Sequence, residues 1–142
     1  MPPLKYCITI LSLIACYKVH AFNLQIKVEG LKGNQGVVGY LLFDKEVGFP
    51  DQSDLSLRSG AVEAKEIHQS IQINNLEPGK FAIVLLHDQN RSKSMDKNFF
   101  GIPKEGFGFS NNPTIYLGPP SFEKAHFELQ KDETIIIKMK YI

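Results

Sequence analysis

From Phe22 the chain alternates with a period of two. Phe22, Leu24, Ile26 and Val28 fall on one side, and Asn23, Gln25, Lys27 and Glu29 on the other. A helix would scatter those apolar residues around its circumference, whereas a strand lines them on one face. Gly30 and the cluster at 32–36 then predict a turn. Residues 37–43 form an apolar run suited to a strand covered on both faces. The two segments predict a hairpin or meander pair whose loop exceeds the two-residue ideal.

Residues 44–66 carry little periodicity. Gly48, Pro50 and Gly60 punctuate a connection, with a helical turn at most over 53–58. Ile67, Ile71 and Ile73 predict a modest strand ended by Asn74 and Asn75. Leu76-Glu77-Pro78-Gly79 reads as a turn in which Pro78 fixes φ and Gly79 supplies a positive φ. Residues 80–87 predict the central strand, with Phe81, Ile83 and Leu85 on one face and Ala82, Val84 and Leu86 on the other. Near the end, Ala125, Phe127 and Leu129 alternate with His126 and Glu128. After a turn at 131–133, Ile135, Ile137, Met139 and Tyr141 alternate with Lys138 and Lys140. Short strands and abundant turn residues predict an all-β fold, a single antiparallel β-sandwich over 22–142. Residues 88–121 lack both periods and read as one long loop. Ordered loops beyond about 12–15 residues are uncommon and are usually functional.

Composition narrows the picture. With 142 residues, 43% apolar and 22% charged, the chain suits one core and excludes disorder or a disulfide framework. A formal charge of +1 gives no general attraction to nucleic acid. Residues 1–21 stand apart: Lys5 is followed by a run from Tyr6 to Tyr17 that is almost wholly apolar. That run is too short to span a bilayer but suits the core of a signal peptide, with Val19-His20-Ala21 placing cleavage before Phe22. Leu13-Ile14-Ala15-Cys16 also resembles a lipobox, which would leave the mature chain lipid-anchored through Cys16. Either way the expectation is export, to the periplasm or beyond. Cleavage before Phe22 removes both cysteines, Cys7 and Cys16, and with Lys5 and Lys18 gone the charge becomes −1.

Candidate chemistry concentrates in 88–121. Oxygen-bearing side chains recur at Asp88, Asn90, Ser92, Ser94 and Asp96, the spacing by which a turning loop can wrap calcium. Lys93 stands where such loops carry glycine and Phe99 where they carry a bidentate glutamate, and Arg91 adds positive charge. The alternative is an exposed turn in which Asp88 and Asn90 bond their own backbone. Further on, Phe99, Phe100, Phe107 and Phe109 are interleaved with Gly101, Gly106 and Gly108. These rings either plug one end of the sandwich or present a surface to a partner protein or glycan. The binding residues so indicated are Phe100, Lys104, Glu105, Phe107, Phe109, Asn111 and Asn112, with Lys104 and Glu105 most simply a solvated pair.

Catalytic patterns are wanting. No Gly-x-Ser-x-Gly or His-x-x-x-His occurs, and His87 and Asp88 would point to opposite faces of a strand. Asp88, Asp96 and Glu105 leave only an undefined carboxylate pair for a hydrolase.

The run from His87-Asp88-Gln89-Asn90 through Asp96 to Asn98-Phe99-Phe100-Gly101-Ile102-Pro103-Lys104-Glu105-Gly106-Phe107-Gly108-Phe109-Ser110-Asn111-Asn112 resembles the signature of a secreted bacterial family, domain of unknown function 2141. Leu76-Glu77-Pro78-Gly79-Lys80-Phe81-Ala82 matches as well. The resemblance implies a prealbumin-like or Ig-like sandwich and no assigned activity. Family members commonly carry Asp-x-Asn-x-Asn-Gly with a later Asp; Ser92 and Lys93 depart from that pattern at the positions that would hold a cation. The expectation is an exported, non-catalytic module that uses 88–121 for binding or envelope assembly. A calcium-stabilised envelope domain and an uncharacterised hydrolase are the alternatives.

Overall fold

The computed structural model describes residues 20–142; the expected leader up to residue 19, Cys16 included, lies outside the described residues. Eight strands follow in order: β1 (Phe22–Glu29), β2 (Val37–Phe43), β3 (Arg58–Glu63), β4 (Ile71–Leu76), β5 (Gly79–Asp88), β6 (Gly106–Phe109), β7 (Phe127–Leu129) and β8 (Glu133–Lys138). One helical turn, α1 (Phe122–Ala125), precedes β7, and short 3₁₀ segments occupy Ser53–Leu55 and Ala64–Gln69. Among the described residues no helix is long and apolar enough to cross a membrane.

The strands form two facing sheets, β4-β1-β8 and β3-β2-β5-β6, with β7 also paired to β5. The fold is therefore an all-β sandwich. Leu24 and Ile26 from β1, Ile71 and Ile73 from β4 and Ile137 from β8 meet Val38, Leu42, Phe81, Ile83 and Leu85 from the other sheet in one core. The alternation read in β5 is realised on both sides: Phe81, Ile83 and Leu85 face this core, while Ala82 and Val84 face a second cluster with Phe43, Phe122 and Ala125. Phe49 packs edge-on against Phe43, Phe109 and Phe122, at 5.4, 6.1 and 5.9 Å between ring centres. That cluster covers the outer face of the larger sheet and explains why β2 and β5 are apolar on both faces.

Several expectations need correction. β1 and β2 do not pair; they lie in opposite sheets, and residues 30–36 cross between them. The apolar face of β1 lies across the shared core from Val38 and Leu42 of β2, whose other face carries Leu41 and Phe43 into the second cluster. β3 escaped notice because it is an edge strand whose first four residues are exposed, so no alternation marks it. Ile67 belongs to a 3₁₀ turn and not to a strand. Gly79 is extended within β5; the positive φ near that turn, 58°, belongs to Asn75. β8 runs parallel to β1, against the antiparallel expectation. The chain passes from β7 in one sheet to β8 in the other, so no tight hairpin dictates β8's direction.

The sandwich is tied along both edges. On one side Phe107 and Lys140 exchange backbone hydrogen bonds of 3.0 and 2.7 Å. On the other, the Arg58 guanidinium of β3 donates to the Asn74 and Asn75 carbonyls of β4 at 2.7 and 3.0 Å.

Candidate functional site

The segment 88–121 is not one loop. β6 lies within it and pairs antiparallel with residues 84–87 of β5. It therefore splits the segment into a loop over 89–105, at the Asp88 end of β5, and a loop over 110–121 leaving the opposite end of β6.

β6 explains the glycine–phenylalanine interleaving. A Cβ on Gly108 would stand 2.7 Å from Ile137 Cγ2 and 3.2 Å from the Lys138 carbonyl, and one on Gly106 would overlap the Tyr141 ring. The glycine face of β6 thus lets the C-terminal strand approach, while the alternate positions carry Phe107 and Phe109. Both rings are buried, 5.9 Å apart, with Phe109 against Phe49. Neither ring is presented at the surface.

Ser110, Asn111 and Asn112 are also structural. The buried Ser110 hydroxyl donates to the Ala125 carbonyl and accepts the Ile83 N–H at 2.9 Å. The Asn111 amide donates to the His126 carbonyl. Asn112 accepts the Lys138 N–H at 2.7 Å and donates to the Ile136 carbonyl at 2.8 Å, so its side chain acts as one more strand residue beside β8.

In the 89–105 loop two buried carboxylates hold the backbone. Asp88 is 2% exposed and accepts the Ser92 and Lys93 N–H groups at 2.9 and 2.7 Å, one on each oxygen. Glu105 accepts the N–H groups of Gln89 and Asp96 at 3.2 and 3.1 Å. It is 5% exposed, so it is no solvated partner of the exposed Lys104. Arg91 and Lys93 take φ of 60° and 65°, which turns these amides inward. The Asn90 amide donates to Asp96 at 2.6 Å while its carbonyl accepts Ser92 N–H, and the Ser92 hydroxyl donates to the Ser94 carbonyl at 3.0 Å. Arg91 meets Glu63 through two bonds of 3.0 and 2.8 Å, which hold that carboxyl below its ordinary value.

A calcium cage needs six to eight oxygens converging on one point. Here the Asp88 oxygens face N–H donors and the Asp96 carboxylate faces an amide. Among the described residues no three Asp, Glu, His or Cys side chains are grouped where an ion could be held. The side chains as arranged suit a self-tied turn and do not fit such a cage.

His87 is fully buried. Its Nε2 lies 2.9 Å from the Gln35 carbonyl, so that nitrogen carries the proton, and Nδ1 accepts from the Tyr141 hydroxyl at 2.8 Å. Tyr141 in turn accepts the Lys32 N–H at 3.0 Å. Burial raises the Tyr141 phenol above its ordinary range, outweighing the bond from Lys32. The neutral phenol is the donating form. The linkage is therefore complete below the titration range of an unfolded tyrosine and is lost as pH rises through the folded value. In an absorbance titration, Tyr141→Phe should remove a phase that ionises above the ordinary tyrosine range. If variant and wild type titrated with the same late phase, that phase would not belong to a buried Tyr141.

The outermost part of the loop is a hairpin. Lys97 and Pro103 form a bridge, and Lys104 N–H donates to the Asp96 carbonyl at 2.8 Å. At the tip, Gly101 N–H reaches the Asn98 carbonyl at 2.9 Å, closing a four-residue turn with Phe99 and Phe100 at its centre. The Asn98 side-chain oxygen accepts the N–H groups of Phe100 and Ile102 at 2.9 and 3.0 Å. Phe99 and Phe100 stack edge to face, 5.5 Å apart, and are 97% and 83% exposed. Of the predicted binding residues only Phe100 and Lys104 are available at this surface. Phe99, Lys97 and Ile102 join them, and the Asn98-x-x-Gly101 turn is the sequence feature that points to them.

A family model described as an uncharacterized protein conserved in bacteria, DUF2141, matches residues 26–137. The chain belongs to that family. The match spans β1 through β8 and includes both loops and β6, as the resemblance of the 87–112 motif led us to expect. No curated protein and no solved structure matches the chain. Membership of DUF2141 therefore carries no activity over to it.

Proposed function

We propose that this chain is an exported, non-catalytic binding module that contacts its partner through the 96–104 hairpin. The observation that carries this reading is the pair of rings at the tip, almost wholly exposed on a turn held by its own hydrogen bonds. A lone exposed apolar residue is ordinary, but two adjacent phenylalanines fixed outward keep apolar surface in water at a cost that folding does not require. The non-catalytic part rests on the groups that would do chemistry. His87 is enclosed by Tyr141 and Gln35, and Asp88 and Glu105 are turned onto backbone amides. Export rests on the signal-peptide pattern of the first 21 residues.

The test joins stability to capture. Phe99→Ser with Phe100→Ser should leave unfolding within about 0.5 kcal/mol of wild type, since neither ring packs on the core. A photoreactive phenylalanine at position 100 should give crosslinked adducts in intact cells, and Phe99→Ser should abolish them. A clear loss of stability in the double variant, or no adduct with any neighbour, would make the hairpin a structural element and end this reading.

A further inference from the structure

The tip's chemistry says what kind of partner suits it. Phe99, Phe100 and Ile102 are exposed at the apex, Lys97 and Lys104 are exposed on the arms just behind it, and Lys93 is exposed nearer the base, where its N–H meets Asp88. The other charges of the loop are neutralised or enclosed: Arg91 is paired with Glu63, Asp88 and Glu105 are buried on amides, and Asp96 is half-buried under the Asn90 amide. What reaches solvent is thus an apolar, aromatic apex with a cationic collar. The apex is a projecting turn and not a flat patch, so it complements a surface that yields around it.

A lipid interface has the matching order of layers, acyl chains beneath anionic headgroups. Phenylalanine enters the boundary between them, and lysine stems reach back so that their ammonium groups lie at the headgroup phosphates. We propose that the 96–104 hairpin docks on an anionic lipid bilayer, with Phe99 and Phe100 inserted at the interface and Lys97 and Lys104 on the headgroups. This rests on the reading of the hairpin as the contact surface and adds the identity of what it contacts.

The chain has no tryptophan, so a single one can report from a chosen place. Phe99→Trp in the full chain places it at the tip. Leu117→Trp places it at an equally exposed position, 97%, in the loop leaving the other end of β6. Each is titrated with vesicles of phosphatidylglycerol and phosphatidylethanolamine carrying brominated acyl chains, and with brominated phosphatidylcholine vesicles.

The tip tryptophan should shift blue and be quenched on the anionic vesicles, and Leu117→Trp should stay water-exposed. Lys97→Glu with Lys104→Glu should weaken the apparent affinity about tenfold or more, as should high salt. Three results would overturn the proposal: an unquenched tip, equal quenching at both positions, or quenching indifferent to lipid charge and to the lysine reversals. If Phe99→Trp misfolded, Phe100→Trp would be read by the same criteria. A crosslink from position 100 to a protein beside an unquenched tip would sink the lipid assignment and leave the binding reading standing. An absence of both would remove the two together.

Discussion

Gly36→Ala is expected to destabilise the fold by about 3–5 kcal/mol, a large share of the roughly 5–15 kcal/mol that holds a domain together. Two costs combine. Gly36 has a φ of 71°, where a side chain is disfavoured by about 1–2 kcal/mol. Its Cβ would also overlap the Asp88 carbonyl oxygen and stand 2.6 Å from Gln89 Cα. Those neighbours are backbone, and they cannot swing aside as a side-chain end would. Ala64 N–H donates to the Gly36 carbonyl and His87 to the Gln35 carbonyl, so the crossing segment is fixed where the clash occurs. Gly33→Ala is the control: its φ is 85° but nothing lies within 4 Å of the added carbon, so only the backbone cost should appear. Urea unfolding of both variants decides it, and equal losses would mean that the close approach at Gly36 is not real.

Asp88→Ala comes next, with an expected loss of about 3 kcal/mol. A hydrogen bond to a charged acceptor contributes roughly 1.5–3 kcal/mol, and Asp88 accepts two from the backbone while 2% exposed. Its removal leaves the Ser92 and Lys93 amides without that acceptor in a turn whose φ values are already unfavourable. Asp88→Asn, which keeps one acceptor oxygen, should lose about half as much. Amide exchange at Ser92 and Lys93 should accelerate in Asp88→Ala well beyond the global change. The same experiment separates a self-tied turn from an ion cage. The self-tied turn predicts that wild-type unfolding is the same in chelator and in millimolar calcium. A wild type that loses stability on chelation, with Asp88→Ala indifferent to it, would be incompatible with that account and would restore calcium.

The two predictions meet at one place. Gly36, His87, Asp88 and Gln89 form the base from which the 89–105 loop rises, and Glu105 ties the returning arm to Gln89. A base held by backbone contacts and buried acceptors is what lets a distant hairpin keep two phenyl rings exposed without collapsing onto the sheet. Fixed presentation lowers the ordering cost of a contact, and it ties the stability of this region to the proposed role of the tip.

Much of the sandwich was legible along the chain because the information is local. β1, β5 and β8 announce themselves by alternation, and the continuous apolar run of β2 correctly implied cover on both faces. The 87–112 motif likewise carried the resemblance to the DUF2141 family. β3 was not legible, since an exposed edge strand need not alternate. β6 was hidden because glycine reads as a turn residue; only the approach of Tyr141 and Ile137 shows that Gly106 and Gly108 are the small face of a strand. The binding residues divided for a similar reason. Phe100, Phe107 and Phe109 are chemically alike, and a period-two strand buries the last two while a four-residue turn exposes the first.

The sequence by itself determined the alternating strand segments, the family and the absence of familiar catalytic spacings, since each depends on residues close together in the chain. Tertiary structure alone decided which strands share a sheet, which carboxylates are enclosed on amides, and which rings meet water. Those outcomes depend on contacts between segments tens of residues apart, such as Gly36 with Asp88, His87 with Tyr141 and Gly108 with Ile137. No local pattern encodes such contacts, because burial is a property of the packed whole.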